Sequence, residues 1–351
     1  MVNARQGNDV EANPATEEAE IAEIVRGFLA VQARTAAEEN RPLRRGTHAK
    51  GVCARAVFDV LDVATGRDPA LAARLARGIF AKPGSYPTTL RFANSDPNVN
   101  ADSVPDVRAL SFAVDLAPSG TAAAGARVAR QDYSLQSAPT LPFNDVHAFV
   151  VFARVSGAPN EAIAVGSLPF RDQLVYARTK MGVMQQQRQP VRPYQQLRYW
   201  SNVPFRHGSD EVVKYSASPA AANPARALET RNANALRDEL TRHLNEDATM
   251  SSFDFGLQFL DTEHMTYQGT HRDATFWIEN AAIEWPEAQA PFHTVARLTL
   301  LPKSVLSAEA SEIMYIDVTE NSTADSAPVG GVNRARWWAE VASRKARQGT
   351  A

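Results

Sequence analysis

The chain has one cysteine, Cys53, in 351 residues. A single thiol excludes an internal disulfide framework and any cysteine-built zinc or iron–sulfur centre, and it fits a reducing compartment. An excess of charge is also missing. With 37 basic residues against 39 acidic, the net charge is −2, so there is no long-range field to gather nucleic acid or an anionic membrane surface. The partners this balance predicts are small molecules or other subunits. No stretch approaches the ~20 apolar residues of a membrane span. The opening "MVNARQGNDVEANPATEEAE" lacks the apolar centre of a secretion signal. These absences together predict a soluble cytoplasmic protein.

Familiar catalytic signatures are missing too: there is no zincin histidine pair, phosphate-cradling glycine loop or nucleophile elbow. His264 and His271, in "TEHMTYQGTHRDA", are seven residues apart, a spacing that matches no ligand geometry on one element, and they read as part of a solvated polar loop. Cys53, in "AKGVCARAV", reads as a buried structural thiol. The neighbouring Trp337 and Trp338 read as packing.

What is present is a hydrophobic content of 44%, enough for a large core. After a polar opening of about 14 residues, "TEEAEIAEIVRGFLAVQARTAAEEN" carries Ile21, Ile24, Val25, Phe28, Leu29 and Val31 at roughly helical spacing. This predicts an amphipathic arm over residues 1–41 that lays its stripe on its own chain or a neighbour. Short alternating or β-branched segments follow, bounded by Gly, Pro, Asn and Asp, among them "AVFDVLDV", "TTLRFANS", "ALSFAVDL" and "DYSLQSAPTLPF". "PALAARLARGIF" reads as a short helix and the polar middle as helical. A strand is predicted near Val212 to Ser216. "PARALETRNANALRDELTRHLNEDA" reads as one helix, with Leu228, Leu236, Leu240 and Leu244 on one face. "SSFDFGLQFLD", "ATFWIENAAIEW" and "HTVARLTLL" read as strands, and "VNRARWWAEVASRKARQ" as a closing helix. Strands and helices do not alternate regularly, so the class is α+β, with a mainly antiparallel sheet and a helical layer.

"RGTHAKG", "TTLRFANSDPNVNADSVPDVRALSFAVDL" and "QDYSLQSAPTLPFND" resemble, in this order, three stretches of the haem catalases: the distal-histidine strand, the following Arg-Phe-Ser and Asp-x-Arg-Gly strands, and the segment of the distal asparagine. "YWSNVPFRHGSDEVVKYSASPA", "FDFGLQF", "RDATFWIENAAIEWPE" and "PVGGVNRAR" are similar to small bacterial catalase-related peroxidases. The resemblance covers residues 42–351 and implies a catalase-like domain: an antiparallel eight-stranded β-barrel with surrounding helices and heme b between the two. It implies a peroxidase acting on hydrogen peroxide or organic hydroperoxides, and it leaves homo-oligomer formation open.

Residue by residue, the resemblance puts His48 above the iron as acid and base, since one imidazole can take a proton from a peroxide and return it. It puts Arg45 and Arg91 beside the haem carboxylates, whose burial needs cationic partners. Three positions depart from the family. Gln136 stands for the distal asparagine, one methylene longer. Ala93 replaces a serine that orients the histidine, leaving Asn94 as a substitute. The proximal tyrosine, four residues after an arginine, is absent: Arg336 is followed at that spacing by Glu340, and Arg334 by Trp338. Candidate iron ligands are therefore Tyr315 and Glu340, with Arg336 on the cofactor side. Glu340 can equally be an ordinary i,i+4 partner of Arg336. Two readings stay open: a haem enzyme, and a haem-free descendant that keeps the barrel as a binding or structural scaffold.

Overall fold

A computed structural model describes residues 14–40, 42–116, 129–224, 226–229 and 231–349. Most of the polar opening lies outside the described residues. Helix α1 (Pro14–Glu38) leads to β1 (Gly51–Val60), α2 (Pro69–Leu75), β2 (Gly84–Asn94), β3 (Arg108–Asp115) and β4 (Arg130–Gln136). Three helices follow, α3 (Val146–Gly157), α4 (Glu161–Gly166) and α5 (Phe170–Gln187). Next come β5 (Tyr199–Trp200), β6 (Phe205–His207), β7 (Glu211–Pro219), α6 (Ala235–Thr241) and β8 (Ser251–Phe259). The chain ends with β9 (Thr266–Tyr267), β10 (Thr270–His271), α7 (Ala274–Glu279), β11 (Phe292–Val305), α8 (Ala308–Ile313) and α9 (Gly331–Gln348).

The strands run in the order β5-β4-β3-β2-β1-β11-β8-β7, and β7 pairs back to β5, closing an eight-stranded antiparallel barrel with β6 appended to β7. Closure leaves the ring without open edges. Period-two alternation sorts the side chains. Phe58, Phe112, Tyr133, Tyr215 and Phe255 point inward, are at most 1% exposed, and meet ring to ring. The Phe58 centroid lies 5.3 Å from Phe255 and 5.8 Å from Phe112. The barrel is thus a filled aromatic core, and its alternate residues face out toward the helices.

Helix α1 packs on α3 and α9 of its own chain. Glu17 pairs with Arg334, Glu20 lies 3.1 Å from His147, and Glu23 binds Arg154. Ile21 and Ile24 join the barrel's core cluster. Gly27 permits the crossing, because a Cβ there would press into the Ala153 carbonyl of α3.

Two expected elements differ. Residues 226–229 and 231–234 are not helical; the helix begins at Ala235, and a π turn over Arg242–Glu246 completes it. The side chain of Asn232 accepts the Asn234 N–H at 2.8 Å, a local turn that competes with helix, and Lys50 ties down the Ala233 carbonyl. Leu236, Leu240 and Leu244 keep the buried face, while Leu228 meets the core from a loop. "ATFWIEN", expected as strand, is α7, because Asp273 caps it by accepting the Phe276 N–H at 2.8 Å. Trp285 then donates to the Trp277 carbonyl at 3.1 Å. Among the described residues, no helix is long and apolar enough to cross a membrane.

Candidate functional site

The outward residues of β2, β3 and β4 form one wall. Arg91 pairs in register with Ser111, which pairs with Ser134, and Gln136 ends the same face. Opposite, α9 presents Arg336, Glu340, Ser343, Arg344 and Arg347 at helical i,i+3 and i,i+4 intervals. Between the walls lie two adjoining cavities, of about 650 Å³ and about 120 Å³, which share Phe28, Gly46, Thr47, His48, Ala339 and Glu340 as lining. His48, Gln136, Arg336 and Glu340 line the larger; Arg45, His48, Arg91, Tyr315 and Glu340 line the smaller. The seven site candidates that the resemblance named, Arg45, His48, Arg91, Gln136, Tyr315, Arg336 and Glu340, thus each border at least one of these two cavities. A groove of comparable size, about 670 Å³, between α3 and α5 holds none of them.

His48 sits in the left-handed backbone region at φ 57°, a conformation uncommon for a side-chain-bearing residue and found preferentially where the surroundings enforce it. Its N–H donates to the Ser95 carbonyl at 3.2 Å, and its own carbonyl accepts from Arg91 Nη2 at 2.8 Å. Its Nδ1 lies 2.9 Å from Thr47 Oγ1; with Nδ1 as the donor, Nε2 keeps its lone pair. Burial, then the charges of Arg91, Arg336 and Arg45, depress the imidazole pKa to about 3, so the ring is neutral at working pH. Asn94 does not orient it: Asn94 bonds Asp102 at 3.5 Å and accepts from the Tyr194 hydroxyl at 3.4 Å. The orienting oxygen is that of Thr47.

Arg45 donates to the Glu312 carbonyl at 3.0 Å and to that of Met314, and its Nη1 is 3.3 Å from the Glu312 carboxylate. Burial, aided by the neighbouring Arg91 and Arg347, lowers its pKa to about 9. Arg91 is 7% exposed, is also lowered by burial, and meets no carboxylate at ion-pair distance among the described residues. Its guanidinium lies over Gly51, where a Cβ would come within 2.6 Å of Cζ; this accounts for the second glycine of "RGTHAKG". Arg91 Nε is buried without a hydrogen-bond partner, while Arg45 Nη1 has the Glu312 carboxylate at 3.3 Å. On the facing helix Arg344 is paired with Asp317 and Arg347 with Glu312. The donor left open for a further carboxylate is that of Arg91, with Arg45 beside it, and the haem of the sequence resemblance fits it.

Glu340 borders both cavities, and its nearest cation, Arg336 Nη2, is 4.0 Å away. Burial raises its carboxyl pKa to about 7, against the opposing effect of Arg336. The guanidiniums of Arg130 and Arg344 lie 4.9 and 4.8 Å from the centroid of the Tyr315 ring. Cys53 is buried with Sγ 3.3 Å from Met314 Sδ. Trp337 packs on Trp338, with ring centroids 4.5 Å apart. His264 is bound to Asp261 at 2.8 Å on the surface, and His271 is exposed on β10.

No protein-family model and no curated protein matches the sequence. Among solved structures, a fungal catalase superposes over 90% of this chain with TM-score 0.63 and 13% identity. Catalase A from Saccharomyces cerevisiae and a bacterial catalase each give TM-score 0.59, at 14% and 15% identity. The fold is that of the catalases. This chain spans only 62%, 63% and 59% of those three proteins, and at such identity the catalase fold is shared while the chemistry has to be read from this chain's own residues. Sequence reasoning missed Thr47, Arg344 and Arg347. The spacing 336, 340, 344, 347 on one predicted helix was the available signal for the two arginines; for Thr47 the signal was only its adjacency to His48.

Proposed function

We propose that the chain is a haem-dependent peroxidase of the catalase fold, with an arm over 1–41 and a catalytic domain over 42–351. It acts on hydrogen peroxide or an organic hydroperoxide and drives oxidation of an organic substrate. The observation that carries this reading is His48: a neutral imidazole on a strained, doubly pinned backbone, bordering the same cavity as Gln136. Heme b, when bound, supplies a ferric centre that accepts oxygen from a peroxide.

Arg91, with Arg45 beside it, would hold the haem carboxylates. Burial is the largest cause of the depressed imidazole pKa, and those carboxylates would offset two of the three arginines that add to it. His48 Nε2 takes the proton of the inner peroxide oxygen and returns it to the outer one, while the hydrogen bond between Nδ1 and the Thr47 hydroxyl orients the ring. Gln136 donates its amide N–H to the peroxide. Arg336, beside Ser134 at 3.4 Å, supports the α9 wall. The larger cavity exceeds what hydrogen peroxide needs, and Phe28, Phe143, Phe149 and Phe152 line it, which supports an organic co-substrate.

The test is a hemin titration of the purified chain followed by absorption. A Soret band saturating at one haem per chain, with peroxide-driven turnover, is expected. Absence of saturable hemin binding would leave the haem-free scaffold as the reading.

A further inference from the structure

Helix α5 has an inner face that is already packed, with Tyr176 set against Val151, Val155 and Leu168. Its outer face is open. Phe170 is 74% exposed, Leu174 56%, Met181 58% and Met184 48%, and Ala177 is exposed between them. Positions 170, 174, 177, 181 and 184 recur at alternating intervals of four and three, the spacing of a coiled-coil seam. Four of the ten large apolar side chains left exposed among the described residues belong to this one helix, a contiguous row rather than a scatter. We propose that this row docks a helix of a partner protein, one that carries its own apolar heptad seam flanked by acidic residues.

The width of the row selects a helix as its occupant. Gln173, Lys180 and Gln187 bound it on one side and Arg171, Arg178 and Gln185 on the other, so the stripe is narrower than the broad apolar face that an interfacial helix sinks into a lipid headgroup layer. The flanks select the charge, because the positions beside the seam set partner choice in paired helices. These flanks hold cations and amides only. The side chains of Arg171, Arg178 and the following Arg188 have no ion pair or hydrogen bond among the described residues, whereas Lys180 is held by Glu161 at 3.1 Å. A second copy of this chain would bring only cations and amides across the seam, with no acidic flank to offset them. Arg171, Arg178, Met181 and Gln185 also line the groove of about 670 Å³ between α3 and α5, which gives side chains of a docked helix a recess beside the seam. The groove's two carboxylates are not on α5: Asp145 caps α3, and Glu284 lies in the loop before Trp285.

The experiment follows the fluorescence anisotropy of a labelled three-heptad peptide, with leucine at its seam and glutamate at the flanking positions, as the full chain is added; like charges keep this peptide from pairing with itself. A lysine-flanked twin, vesicles of phosphatidylserine and phosphatidylcholine, and sedimentation of the chain alone are run alongside. The glutamate peptide is expected to bind saturably and to weaken as salt is added, with the lysine twin weaker by roughly tenfold or more. Leu174→Gln combined with Met181→Gln is expected to lower the affinity roughly tenfold or more with an unchanged unfolding midpoint, because both side chains are exposed. Arg171→Glu combined with Arg178→Glu is expected to reverse the preference between the two peptides. No saturable binding of the glutamate peptide, equal affinity for both peptides, or an affinity unchanged in the Leu174 and Met181 variant would overturn the proposal. So would a dimer of the chain that this variant dissociates, which gives the face to a second copy, or vesicle binding that this variant abolishes, which gives it to a lipid surface.

Discussion

Strands β1 to β4 carry two unlike faces on one backbone. The inner face, Phe58, Phe92, Phe112 and Tyr133, is filled with rings at most 1% exposed. The outer face carries Arg91, Ser111, Ser134 and Gln136 against a hollow. Solid packing allows no volume change without loss, whereas the outer residues border space and are held by hydrogen bonds and charge. The difference teaches that stability and chemistry are divided by strand parity, so substitutions on the two faces separate the two properties.

The largest effect is expected on the outer side. His48→Ala should lower peroxide-driven turnover roughly 10²- to 10⁴-fold with hemin uptake retained. Steady-state rates normalised to bound haem check this; unchanged rates would remove His48 from the mechanism. On the inner side, Phe58→Ala should cost about 3–5 kcal/mol of stability, measured by denaturant unfolding, while any chain that remains folded keeps its hemin stoichiometry. If this variant lost haem without losing stability, the division by faces would be wrong.

An acid titration sharpens the comparison further. The folded pKa of His48, about 3, lies below the ~6.5 of a free imidazole, so the unfolded chain binds the proton first. The contribution is fully present above pH ~6.5 and fades as pH falls toward the folded value, by at most about 1.4 kcal/mol per pH unit. Unfolding curves of wild type and His48→Gln across that window should diverge with this sign, and parallel curves would mean that the imidazole is solvated in the folded chain. The smallest effect is expected at Thr47. Removing one orienting hydrogen bond, worth about 0.5–1.5 kcal/mol, Thr47→Val should reduce turnover roughly three- to tenfold, and Thr47→Ser should restore it. A Thr47→Val enzyme at full rate would show that the imidazole orients without this hydroxyl.

Most strands were legible because alternation repeats every two residues and is anchored by turn residues, as in "AVFDVLDV" and "SSFDFGLQF". The failures occurred where a local bond overrode pattern. The Asn232 turn interrupts an otherwise helical leucine spacing, and the Asp273 cap turns the β-branched and aromatic "ATFWIEN" into a helix. At the site, residues contiguous in sequence were readable as a group: "RRGTHAKG" contains Arg45, Thr47, His48 and Gly51 together. Arg344 and Arg347 are almost 300 residues away from that stretch, and no local spacing says which face of α9 turns to β2.

The sequence by itself determined the α+β class, the strand segments and the composition of the outer wall, because periodicity and turn chemistry act over a few residues. Only the tertiary structure decided that β7 returns to β5, that α1 lies on its own α3 and α9, that Thr47 holds His48 in place of Asn94, and that Glu340 faces the cavity without a hydrogen bond. Those outcomes depend on which distant surfaces meet and on the water they exclude, and neither is encoded within a single segment.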